Sequence, residues 1–197
     1  MKRVLSILAL AAAASAVIVP AGAAPNDPTY RAVASGALES PPNASPGSSL
    51  VTIDLNGKQM LVDLPFRDLD GTTTEAHVHC CTSTAFTGTA PVAVPFQDFP
   101  LGVTAGTYSN AIALGDATSY DPGFVSAHGG TVQGAASTLM DGIAANEAYV
   151  NIHTTTYPNG EIRGWLVAAP VPETAEWSML AVGLAGLMWV SRRRPAA

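Results

Sequence analysis

Only two cysteines occur in the 197 residues, and they are neighbours, Cys80 and Cys81. That excludes a disulfide framework of the kind that holds small secreted domains together. Charge is scarce too: Asp, Glu, Lys and Arg make up 12% of the chain, the net charge is −6, and no basic stripe appears, which excludes a nucleic-acid partner. There is no phosphate-binding glycine loop, no heptad pattern and no repeat of fixed period. No serine sits in a G-x-S-x-G elbow, and the carboxylates Asp54, Asp63, Asp68, Asp70, Asp116, Asp121, Asp141, Glu147 and Glu161 suggest no catalytic pair by spacing. Glu161 and Arg163, two apart, read as a surface charge pair. Nothing among these residues is an enzyme's, so a non-catalytic role is expected.

Long apolar runs occur only at the ends. Lys2 and Arg3 precede an apolar stretch from Val4 to Val19, broken by Pro20, and Ala21-Gly22-Ala23 gives the small residues a signal peptidase reads. Residues 1–23 are therefore expected to be a cleaved signal peptide, with Ala21 and Ala23 marking the cut. At the other end Trp177 to Val190 is apolar and runs into Ser191-Arg192-Arg193-Arg194. The arginines fix such a segment's orientation by staying on the cytoplasmic side, and a membrane helix over 177–190 is expected. Val171-Pro172-Glu173, this helix and the cluster Arg192, Arg193 and Arg194 together resemble the PEP-CTERM sorting signal of Gram-negative bacteria, with Thr174 where that signal normally carries a second proline. The resemblance implies recognition by an exosortase and cleavage near Glu173. The helix would then be a temporary anchor.

Residues 24–170 remain for one domain, with a core over 30–167. The chain's 18 glycines and 15 prolines fit short strands joined by many turns. Tyr30 to Glu39 reads as a first strand. Leu50 to Leu55 and Lys58 to Leu64 flank Asn56-Gly57, a hairpin signal. A two-residue loop would set Ile53 opposite Met60 and Val51 opposite Val62, giving one apolar face. Thr73 to Cys81 alternates, with Ala76, Val78 and Cys80 on one face and Glu75, His77, His79 and Cys81 on the other. Pro91 to Phe96 and Thr107 to Leu114 are strand-like, and a short helix is expected over Ala135 to Ala145. A last hairpin joins Tyr149 to Thr156 with Glu161 to Val167 through Pro158-Asn159-Gly160. A three-residue bulged loop there places Ile152 across from Leu166, and His153 across from Trp165 on the outer face. The sequon Asn43-Ala44-Ser45 carries no weight in a bacterial chain.

Two arrangements could carry chemistry. His77 and His79, at i and i+2, project to one face of their strand, which is how a sheet presents two imidazoles to one ion. His153 lies on the outer face of another strand, so neighbouring strands would bring three imidazoles together, a set that suits zinc, copper or nickel. The competing reading is three hydrogen-bonded histidines with no ion. Cys80 and Cys81 are closer along the chain than disulfide geometry normally allows, and alternation points them to opposite faces. They are expected as a buried inert Cys80 and a more exposed Cys81, with a redox role the second reading.

Ala76-His77-Val78-His79 and Tyr149-Val150-Asn151-Ile152-His153-Thr154, continuing Pro158-Asn159-Gly160-Glu161-Ile162-Arg163-Gly164, resemble the two signature strands of the CHRD domain. Phe99-Pro100-Leu101-Gly102-Val103-Thr104 resembles bacterial members that also carry PEP-CTERM tails. The resemblance covers roughly Tyr30 to Val167. It implies an all-β fold, an immunoglobulin-like antiparallel β-sandwich or barrel with a likeness to copper–zinc superoxide dismutase. It implies no reaction. The leading expectation is thus a non-catalytic, exported envelope or matrix protein without cofactor. It would be met by signal peptidase and exosortase, held in the inner membrane as a precursor, then placed on the outer surface or in the extracellular matrix. One alternative is a dismutase-like protein holding copper or zinc at His77, His79 and His153. The other is a module that binds extracellular polysaccharide.

Overall fold

The computed structural model describes residues 28–170. The expected signal peptide and the sorting segment with its apolar helix lie outside them. Among the described residues no helix is long and apolar enough to cross a membrane.

Among the described residues nine strands form one antiparallel sheet: β1 Thr29–Ser35, β2 Ser48–Leu55, β3 Gln59–Arg67, β4 Thr73–His79, β5 Val92–Pro95, β6 Gly106–Ala113, β7 Tyr149–Thr154, β8 Ile162–Trp165 and β9 Val167–Ala168. Their order is β5-β4-β7-β8-β1-β2-β3-β6, with β9 beside β1. The expected all-β fold is present, in the form of a single sheet that curls like half a barrel. Its two ends meet across the core through aromatic rings: Phe96, after β5, stacks on Tyr108 of β6 at 5.0 Å, and Phe66 of β3 stacks on Phe99 at 5.3 Å. The concave face carries Val51, Ile53, Met60, Val62, Ala76, Val78, Val150, Ile152, Ile162 and Leu166, all buried as their alternation predicts.

The hairpin registers differ from expectation by whole pairs. Ile53 faces Val62 and Leu55 faces Met60, because Asn56 Oδ1 accepts from the backbone N–H of Lys58 and Gln59 and widens the turn. In the last hairpin Ile152 faces Ile162, and Tyr149, rather than His153, faces Trp165. Each slip is an even number of residues, so every side chain keeps its expected face. The first strand is shorter than expected: it stops at Ser35 and a 3-10 turn covers Gly36–Leu38.

Two helices close the core. α1, Pro122–Ala127, is an addition to the expected elements, although Asp121 caps it by accepting from Gly123 and Phe124 and Pro122 opens it. α2, Val132–Ala144, begins three residues before the expected helix and buries Leu139 and Ile143. Its Gly142 is required by what lies beneath, since a Cβ there would overlap the sulfurs of both Cys80 and Cys81.

Those cysteines form a disulfide with each other, contrary to the expected free pair. Alternation holds only inside a strand, and β4 ends at His79, one residue before them. Cys80 is buried in the core and Cys81 packs at its margin.

Glu161 and Arg163 are likewise not a surface pair, since both are buried. Glu161 accepts four hydrogen bonds, from Ser45 Oγ at 2.5 Å, Asp70 N at 2.6 Å, Gly71 N at 3.1 Å and Thr154 Oγ1 at 2.6 Å. Asn43 adds a bond from its side-chain amide to the Glu161 carbonyl. Arg163 lies over the rings of Tyr149 and Trp165 and donates to the carbonyls of Leu38 and Gly88. One carboxylate and one guanidinium therefore tie the loops around residues 38–47, 68–72 and 82–90 to the convex face.

Candidate metal centre

The register of β4 against β7 decides what meets on that convex face. Glu75 stands opposite His153, His77 opposite Asn151 and His79 opposite Tyr149. Directly paired residues share a face, so β4 delivers Glu75, His77 and His79 beside His153 of β7. The three histidines do meet. Among the described residues, their ring nitrogens, one from each, lie within 4.8 Å of one another. The ring centroids are 5.5 Å apart for His77 and His79, 5.2 Å for His77 and His153, and 6.1 Å for His79 and His153.

The histidines lie on the expected outer face, and there they are buried, 7–8% accessible. The covering loops shield them, and the second side of each ring is occupied. His79 Nδ1 lies 2.9 Å from the Ala90 carbonyl and His153 Nδ1 lies 3.0 Å from the Pro158 carbonyl. A carbonyl only accepts, so each Nδ1 carries the proton and each Nε2 presents a lone pair. His77 Nε2 lies 3.3 Å from a Glu75 carboxylate oxygen, which leaves its lone pair on Nδ1. The lone-pair nitrogens, Nδ1 of His77 and Nε2 of His79 and His153, are buried and have no hydrogen-bond partner.

Charge on the His77 and His79 rings is disfavoured. Burial drives the His79 pKa down to about 4, against a smaller upward pull from the Ala90 carbonyl. Burial also lowers His77, opposed by the adjacent Glu75 carboxylate and reinforced by His153. Neutral imidazoles that offer buried, unpartnered lone pairs are the protonation state a metal ion needs. The bonds from their opposite nitrogens to a carboxylate and two carbonyls are the outer support that orients ligating histidines. A tetrahedral ion with bonds of 2.0–2.1 Å wants its nitrogens about 3.3 Å apart. The ring nitrogens, within 4.8 Å of one another, are near that spacing without being at it.

The sequence pattern alone points to the three histidines and puts Glu75 within reach. It does not reveal the Ala90 carbonyl, the Pro158 carbonyl or Tyr149, whose ring stacks on His79 at 4.9 Å and 6°. The first two are backbone groups, which no residue type announces. Tyr149 becomes visible only once its register with His79 is known. Cys80 and Cys81 follow His79 directly but point to the opposite side, against Thr138 and Gly142 of α2, and they are bonded to each other. They take no part in the cluster.

Searches of curated proteins and of solved structures found no match. The CHRD domain matches residues 30–166, which contain the whole sheet apart from Thr29 and β9 and include all three histidines. This chain belongs to the CHRD-domain family.

Proposed function

We propose that the protein is an exported CHRD-domain protein that binds one transition-metal ion through His77, His79 and His153. One observation carries the reading: three neighbouring, buried imidazoles each keep one nitrogen unpartnered while the opposite nitrogen is held by a carboxylate or a carbonyl. A buried acceptor left without a donor costs on the order of 1–3 kcal/mol, and three in one place need a common partner. The simple alternative, histidines that serve the fold through hydrogen bonds, accounts for one nitrogen of each ring and gives the other no role. Imidazole donors select zinc or copper over calcium or magnesium.

Export is supported by the Cys80–Cys81 disulfide, which belongs to an oxidising compartment, and by the basic, apolar and A-x-A pattern of residues 1–23. Sorting by an exosortase rests on Val171-Pro172-Glu173, the apolar segment and Arg192 to Arg194.

Thermal unfolding of the full chain with and without metal tests the binding. Zinc or copper at about a hundredfold excess over Kd should add about 2.7 kcal/mol of stability. His77→Ala, His79→Ala and His153→Ala should each abolish the gain. An unchanged melting temperature in the native sequence with both metals would sink the proposal.

A further inference from the structure

Resting on that metal reading, we infer that the protein supplies only three ligands and that the ion's fourth position is open to an exchangeable small molecule, water or a small anion. The side chains that could complete the shell are otherwise committed. Cys80 and Cys81 are bonded to each other and packed under α2. Glu75 sits at Nε2 of His77, across the ring from the unpartnered Nδ1, and its carboxylate is half exposed. Among the described residues no other His, Cys, Asp or Glu joins the three histidines in a group that could hold an ion.

The cluster also borders the surface, at His77. A groove of about 600 Å³ beside the first half of β4 and the segment after β5 is lined by Glu75, His77, Gln97, Asp98 and Leu101, while the three unpartnered nitrogens themselves are buried. His77 and Glu75 thus belong both to the cluster and to the groove wall. Structural zinc sites are closed by four protein ligands, whereas three-ligand sites keep the remaining place for water or substrate. Three neutral imidazoles leave the ion's full positive charge in place, so a small anion is attracted at short range. The acidic groups Glu75 and Asp98 at the mouth weaken that attraction at a distance and favour small, singly charged species.

Cobalt(II) substituted into the full chain reads the coordination shell directly, with azide as the probe. Cobalt should give the intense visible bands of a four-coordinate ion, and azide should shift them saturably. Glu75→Ala should weaken cobalt binding by about 10–100-fold and leave the azide response in place. If the native chain binds cobalt but its spectrum ignores azide, the shell is closed and the inference is wrong. If an azide response appears only in Glu75→Ala, Glu75 is the fourth ligand, and the inference is equally wrong. A chain that takes up neither cobalt, zinc nor copper overturns the metal reading itself.

Discussion

At the residue scale the decisive groups are buried polar side chains that the sequence offers as ordinary surface residues. Glu161 is the clearest, because its four donors come from three separate segments. Glu161→Gln keeps the shape but puts a donor where donors already point. It should cost about 3 kcal/mol in a denaturant titration; a loss within about 0.5 kcal/mol would show the hub to be dispensable. Glu39 tests the opposite case. Its carboxyl is buried, Oε1 has no partner, and burial raises its pKa to about 7 against the pull of Arg163. The folded chain therefore holds this proton more tightly than the unfolded chain between pH 4.5 and about 7, and stability falls as pH rises through that window. Glu39→Gln removes this dependence. Relative to the native sequence it should gain on the order of 2 kcal/mol between pH 4 and pH 8, read as the difference between two unfolding curves. A constant difference would mean that Glu39 ionises normally.

At the element scale, legibility followed periodicity. Strand alternation placed all ten expected core residues correctly, because a period of two survives register slips of two or four residues. Turn lengths differ from expectation, since they depend on local side-chain bonds such as that of Asn56 to Gln59 and on long-range anchors such as Glu161. The histidine cluster was readable as three outward residues on two strands. Their adjacency was not, because β4 and β7 are far apart in sequence and only the pairing of the two strands, which sets Glu75 opposite His153, brings them together. The cysteines depart from the expected free pair because β4 ends at His79, two residues before the expected strand end. Gly142 shows how the disulfide shapes α2. Glycine to alanine in an exposed helix stabilises by about 1 kcal/mol. Here Gly142→Ala should instead destabilise by about 2 kcal/mol, since overpacking against two sulfurs cannot relax into solvent. A stabilised variant would contradict the packing described.

At the scale of the whole molecule, a curled sheet buries one face in an apolar core and leaves the other to be roofed by loops. That arrangement lets a small domain hold a buried polar cluster without a second sheet. The loops reach the convex face through Glu161 and Arg163, and they bring the Ala90 and Pro158 carbonyls that orient His79 and His153. The sorting proposal concerns the chain beyond this domain. Intact-mass measurement on protein recovered from its native host should show material ending near Glu173, and retention of Trp177 to Arg194 would remove the exosortase step. Everything proposed for the domain itself depends on an ion seated among the three histidines. Calorimetric titration of the metal-free full chain with zinc, run beside His153→Ala, reads that binding without any intermediate step. One ion should bind per chain, at least about a hundredfold more weakly in the variant. No heat of binding in the native sequence, or equal affinity in the two proteins, would refute the metal centre.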